Sequence, residues 1–444
     1  MDTSIAMAIH GTRMTAVVLL SWLLAIPAAS AMPAIQHWVT DNGARVYFVA
    51  AAELPMVDIN VTFAAGSVRD DGHAGVAHMT STLLDMGAAG LSADEISSRA
   101  ESLGAELGTG AARDMAWIKL RSLSDADQLQ PALQLLADVI NKPDFNKQDF
   151  ERERERMLVA IRRSEQSPAT VAGYTFFRAA YGEHPYAPRP SGTLESVAAL
   201  ESGQIKAFYK QYYVARNAVF SIVGDLDRKA AEQLVEQVIA QLPAGKRAPA
   251  VASVPVLTKA QQQRVYHPST QTHVRMGAPG MHRGDPDYFA LYVGNHVLGG
   301  GGLVSRLFKE VREKRGLSYS VSSSFSPMEQ NGPYLLSLQT RNDQVDESLA
   351  VMRETLQDYV DKGPTKKELI ASKKNITGGF PLRIASNSSI LDYLNVIGFY
   401  DLPLDYLEVF NDRVMAVTRE QIVDAFQRRV SPDTMATIIV GGDS

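Results

Sequence analysis

In the stretch GVAHMTSTLLDMG, Gly75 to Gly87, the residues His78, Ser81, Thr82 and Asp85 recur at spacings of three and four, so an α-helix sets them on one polar stripe. Two chemistries suit such a stripe. Two histidines four residues apart present both imidazoles to one metal ion, and a glutamate between them takes a proton from the metal-bound water. Here only His78 is present; Ser81 stands at the place of the base and Thr82 at that of the second imidazole. The other chemistry is nucleophilic, since Ser81, His78 and Asp85 are the residue types of a hydrolase triad. That requires a strained, exposed elbow of G-x-S-x-G type beside oxyanion donors, and the stretch has none. The plainest reading of His78 is a helix histidine satisfied by a polar neighbour.

A second chemical stretch is GNHVLGGGGLVSRLFKEVREKRGLSYSVSSSF, Gly294 to Phe325. No Gly-Lys-Ser/Thr follows Gly299–Gly302, so these glycines form no phosphate loop; they suit a mobile or tightly packed loop before a helix. Val304, Leu307, Phe308 and Val311 predict a helix face that Gly316 ends, and Leu317 to Phe325 alternates as a strand. Arg312 can hold a substrate carbonyl or carboxylate, and the Tyr319 hydroxyl can donate to an oxyanion. Structural readings stand beside these. Arg312 with Lys314 and Arg315 complements the negative end of its helix, and Tyr319 shares a strand face with Val321 and Phe325, which suits burial in a core.

The elements around these residues come in two related halves. QIKAFYKQYYVARNAVFSIVG, Gln204 to Gly224, aligns without a gap to QIVDAFQRRVSPDTMATIIVG, Gln421 to Gly441, at an offset of 217 residues, each copy reading as helix, turn and strand. Between the halves, Leu242 to Ala260 is rich in Pro and Ala and lacks any periodicity. The expected domains are residues 32–242 and 258–444, joined by a linker at 243–257. The runs Arg45–Val49 and Val57–Phe63 precede a series of helices. Paired strands followed by helices predict an α+β fold, an antiparallel sheet in each half with helices packed on it.

With 444 residues, 45% apolar and 21% charged, the chain exceeds what one core supports. A net charge of −5 offers no field for nucleic acid. Cysteine is absent, which removes disulfides, thiolate nucleophiles and cysteine-held metals. Arg13, the apolar run Met14–Ile26 and the small residues Ala29-Ser30-Ala31 read as a secretory signal cut after Ala31, the alternative being an uncleaved anchor. The expected product is exported, most simply to a periplasm, and free of the membrane after cleavage.

The strand pair, the Gly-x-Ala-His step and the degenerate His78-x-x-Ser81-Thr82 together resemble the M16 (pitrilysin and mitochondrial processing peptidase-like) zinc peptidases, whose motif is His-x-x-Glu-His. In that likeness the third ligand falls on FERERERMLVAIRRSEQSP, which places Ala160 at the ligand position and Glu153 two turns earlier. SRLFKEVREKRGLSY carries the family's Arg/Tyr pair as Arg312 and Tyr319. The resemblance implies two homologous domains forming half of a clam-shell. It also implies a chain without zinc that lends Arg312 and Tyr319 to a zinc-bearing M16 partner acting on extended peptides. The alternatives are a non-catalytic scaffold, like the respiratory-complex core proteins of this fold, and, more remotely, a serine hydrolase.

Overall fold

The fully buried run AVFSIVG, Ala218–Gly224, has no polar face to offer water, and it occupies the interior of a sheet. In this computed structural model, which describes residues 34–442, eleven of the strands form two sheets; the expected signal lies outside the described residues. The strands are β1 (Gln36–Val39), β2 (Arg45–Ala50), β3 (Met56–Phe63), a two-residue ribbon of β4 (Gly87–Ala88) and β5 (Leu91–Ser92), β6 (Glu106–Ala111), β7 (Ala116–Leu123), β8 (Ala218–Gly224), β9 (Gln261–Val265), β10 (Ser269–Met281), β11 (Ser320–Phe325), β12 (Gly332–Arg341) and β13 (Ala436–Gly442).

The first sheet runs β1-β2-β8-β3-β7-β6 and the second β11-β12-β10-β13-β9. Apart from β1 the two orders are the same when matched strand for strand at the repeat offset, β2 with β9, β8 with β13, β3 with β10, β7 with β12 and β6 with β11. The fold is α+β, as expected, but the sheets are not purely antiparallel. In each, one pair is parallel, β2 with β8 and β9 with β13. The reason is the buried run itself. β8 inserts between β2 and β3, so these two strands are not neighbours, and the short connection between them crosses two strand spacings, roughly 9.5 Å.

Polar caps start the helices that matter here. Asn146 accepts from the Asp149 N–H (2.8 Å) ahead of one helix, Ser167 followed by Pro168 opens the next, and Ser386 accepts from the Ser389 N–H (3.2 Å) ahead of a third. With the helix Val76–Leu83 as α1, these are α2 (Lys147–Glu165), α3 (Pro168–Tyr181) and α4 (Asn387–Phe399).

The halves exchange α3 and α4. Helix α3, from the first half, packs on β10 and β13 of the second sheet, where Val171, Ala172, Phe176 and Tyr181 share a core with Ala436, Ile438 and Val440. Helix α4, from the second half, lies across β2, β3 and β8 of the first. A Cβ on its Gly398 would stand 2.6 Å from the Tyr47 ring, so only glycine fits this approach. Residues 243–260 carry no helix or strand, yet they are held. Val251 and Val254 join the α3 core, the Val251 N–H donates to Glu329 Oε1 (3.1 Å), and His184 Nε2 contacts the Ala252 carbonyl (2.9 Å). Among the described residues no helix is long and apolar enough to cross a membrane.

Candidate functional site

The start of α1 is fixed by a buried carboxylate. Gly75, at φ +101°, takes the left-handed turn before the helix, and Asp70 accepts from the N–H groups of Gly75 (2.8 Å) and Ala77 (3.0 Å). Burial outweighs those two hydrogen bonds and pushes the Asp70 carboxyl up to about 7. A group whose pKa is raised by folding adds stability below its unfolded value, and that contribution is lost as pH climbs through the folded value. The melting temperature of the native chain, measured against Asp70→Asn, therefore falls between about pH 4 and pH 7 and levels off above. A pH-independent difference between the two would remove burial as the cause.

Val76, Met79 and Leu83 face the core, as their spacing predicts. The polar stripe divides. His78 and Thr82 line an open cleft of about 610 Å³ together with Glu153 and Ala160. Ser81 turns the other way. It is 1% exposed, and its hydroxyl lies near that of Tyr213, neither in hydrogen-bonding geometry with any described residue. Ser81, His78 and Asp85 make no hydrogen bonds to one another, so the triad reading is corrected: a buried serine with no base at hand is no nucleophile. The expectation that a polar neighbour satisfies His78 also gives way. Its ring makes no hydrogen bond among the described residues, and burial holds its pKa below the usual histidine range, which favours the neutral imidazole.

A zinc ion has no nest here. Thr82 spends its hydroxyl on the His78 carbonyl (3.0 Å), Ala160 has no donor, and Glu153 is committed to Arg156 (2.7 Å) and Arg152 (3.2 Å). Among the described residues no three His, Asp or Glu side chains group as a metal site needs. Half-buried Asp85 is raised to about 6 by desolvation, which its own backbone hydrogen bond opposes and the nearby Glu153 charge reinforces.

What the cleft does have went unseen in the sequence. The Arg113 guanidinium lies 3.5 Å above the Phe177 ring, and that of Arg189 4.4 Å from the Tyr174 ring. Burial brings Arg113 down to about 10, leaving it charged at neutral pH while it donates to the carbonyls of Tyr186 (3.0 Å) and Pro188 (3.4 Å). These residues come from the β6–β7 turn, α3 and the loop after it. No single periodicity could have grouped them. The result is a cationic, aromatic-walled groove.

In the second half, the four-glycine loop is tightly packed. A Cβ at Gly299 would sit 2.3 Å from Ser323 Oγ, inside the buried pair that Ser323 makes with Asn295 (2.6 Å). Val304 is 63% exposed and belongs to this loop, correcting its place on the helix face, whereas Leu307 and Val311 are buried as expected. The helix that follows, Phe308–Glu313, is wound with i→i+5 bonds such as Lys314 N–H to the Lys309 carbonyl (2.9 Å). Gly316, at φ +64°, ends it.

Arg312 leaves this helix beside Tyr319, the residue before β11, with its guanidinium carbon 5.8 Å from the Tyr319 ring centre. Both are exposed, Tyr319 by 73%, and among the described residues neither the guanidinium nor the hydroxyl has a hydrogen-bond or ionic partner. Tyr319 is thus not a core residue. The structure groups His78, Thr82 and Ala160 in one place and Arg312 with Tyr319 in another, and the second pair does not line the cleft of the first.

A fold of two repeated half-sheets, one of them carrying a ruined zinc motif, defines a class, and comparison with known proteins agrees with it. Residues 45–193 match the family described as insulinase, peptidase family M16, and residues 199–376 match the peptidase M16 inactive domain. The chain belongs to the M16 family. It is similar to the crystal structure of a peptidase M16 inactive domain from Pseudomonas fluorescens, with 40% identity, a TM-score of 0.89 and coverage of 92% of this chain and 98% of that one. An uncharacterized zinc protease of Mycobacterium tuberculosis is 29% identical over 373 residues, 83% of this chain and 84% of that one. A non-peptidase homolog of Helicobacter pylori is 25% identical over 391 residues, 87% and 89% of the two.

Proposed function

We propose that this chain is the zinc-free half of a two-chain, exported M16 peptidase, working in a periplasm. It closes over a zinc-bearing M16 partner and turns Arg312 and Tyr319 toward the peptide held there. The observation that supports the reading is that this pair stands side by side with its donors engaged by no described residue, in a chain that carries Ser81, Thr82 and Ala160 at its own zinc-motif positions. An exposed Arg and Tyr whose polar groups have no hydrogen-bond or ionic partner among the described residues suit a surface completed by another molecule. The partner brings the ion and the attacking water; Tyr319 donates to the oxyanion and Arg312 steadies the substrate. An extended peptide lies along a sheet edge of the partner.

The test is reconstitution. The chain recovered from the periplasm begins at Met32 and contains no stoichiometric zinc. Neither it nor a zinc-bearing M16 homologue of the same organism cleaves an unstructured peptide alone, and an equimolar mixture does. A mixture that binds but stays inert would favour the scaffold reading, which the likeness to a non-peptidase homolog also permits. One zinc per chain in this protein would overturn the assignment of its ligand positions.

A further inference from the structure

A small cavity of about 220 Å³ lies where the halves and the segment joining them meet, and four arginines line its wall. Arg45 and Arg69 come from the first half, Arg247 from the joining segment and Arg283 from the second half. Two carboxylates, Asp401 and Glu329, share the wall. Asp401 serves both Arg45 and Arg247, the latter at 3.0 Å. Glu329 stands 3.5 Å from Arg69 and divides its attention with the Val251 N–H. Four guanidiniums therefore face two carboxylates, an excess of two positive charges.

Two donors in this wall are unspent. The Arg69 side chain is 6% exposed, with one terminal nitrogen given to the Pro249 carbonyl (2.6 Å), yet its Nε–H is buried without an acceptor among the described residues. Arg283 has no carboxylate partner there; its guanidinium lies 5.5 Å from the Tyr400 ring, and its Nε–H is likewise buried and unpaired. A buried donor without an acceptor is costly, and charge-assisted bonds from arginine to a multi-oxygen anion are among the strongest available to satisfy it.

We infer that this junction cavity is a binding site for a compact dianion of the size and charge of inorganic phosphate. Its volume lies below the roughly 300–1,000 Å³ of sites for drug-sized ligands, which suits a small anion rather than a nucleotide. The charge of the anion balances the excess on the wall, and its oxygens reach donors of both halves at once. Binding therefore fastens the halves together, stabilising the fold by linkage. This site is independent of Arg312 and Tyr319.

Inorganic phosphate is the probe, with sulfate as a second dianion and chloride at matched ionic strength as the control. On the full chain, calorimetric titration gives one phosphate per chain, and the melting temperature rises with phosphate and sulfate but not with chloride. Arg283→Met breaks no ion pair and weakens phosphate binding at least tenfold. Asp401→Asn is the sharper test, because it frees Arg45 and Arg247. Asn tolerates the left-handed backbone at this residue (φ +52°), and binding tightens at least threefold. A structural role alone would not give opposite signs. If Asp401→Asn does not fold, Arg247→Met at an exposed position supplies a second weakening. Equal shifts with chloride, or native affinity in Arg283→Met, would overturn the inference.

Discussion

Replacing Tyr319 with phenylalanine lowers the peptidase activity of the mixed pair by about 10²–10³-fold, the loss typical of one oxyanion donor. The change removes a single hydroxyl that is engaged with no described residue, so the melting temperature of the chain and its affinity for the partner stay as they were. The loss falls on kcat more than on KM, since the oxyanion exists only on the way to the tetrahedral intermediate. Arg312→Lys keeps the charge but loses the planar fork, and it acts mainly on KM if the arginine holds a ground-state carbonyl or carboxylate. Steady-state kinetics on the reconstituted pair separate the two. Full activity in the phenylalanine variant would leave the hydroxyl without a catalytic role and the two-chain mechanism without its main support.

Phe176→Ala destabilises the whole chain by about 3–5 kcal/mol, and Leu394→Ala by about 2–5 kcal/mol. Both side chains are fully buried, each on a helix that covers the sheet of the opposite half: Phe176 on α3 against the second sheet, Leu394 on α4 against the first. Because each sheet depends on a helix of the other half for its cover, neither half retains a closed core once the other opens. Chemical denaturation followed by both fluorescence and circular dichroism gives one coincident transition, and each substitution moves the whole of it. Two separate transitions, only one of them displaced, would show that the exchange does not bind the halves into one cooperative unit.

The local elements were legible because they follow from nearest-neighbour physics. The strands at Arg45 and Val57, the helix end at Gly316 and the repeat at Gln204 and Gln421 all rest on side-chain period, capping chemistry or backbone freedom. The residue types at the zinc-motif positions are also read directly from the chain: threonine, serine and alanine there offer neither an imidazole nor a carboxylate. Orientation around α1 was not legible. Its apolar stripe was plain, but Ser81 differs from Thr82 in facing only by the 100° between consecutive helical residues. Only the packed position of Tyr213 shows which of the two meets the cleft.

By itself, then, the amino-acid order determined two related α+β halves, the donor atoms available at the zinc-motif positions, and the motif containing Arg312 and Tyr319. Tertiary structure alone decided that β8 parts β2 from β3, that α3 and α4 change places between the halves, and that Arg312 and Tyr319 share a solvent-facing surface with their donors engaged by no described residue. It also brought Arg45, Arg69, Arg247 and Arg283 around one cavity. The physical reason is range. Period and capping act over one or two turns, whereas burial is settled between segments far apart in sequence, whose meeting no local pattern records.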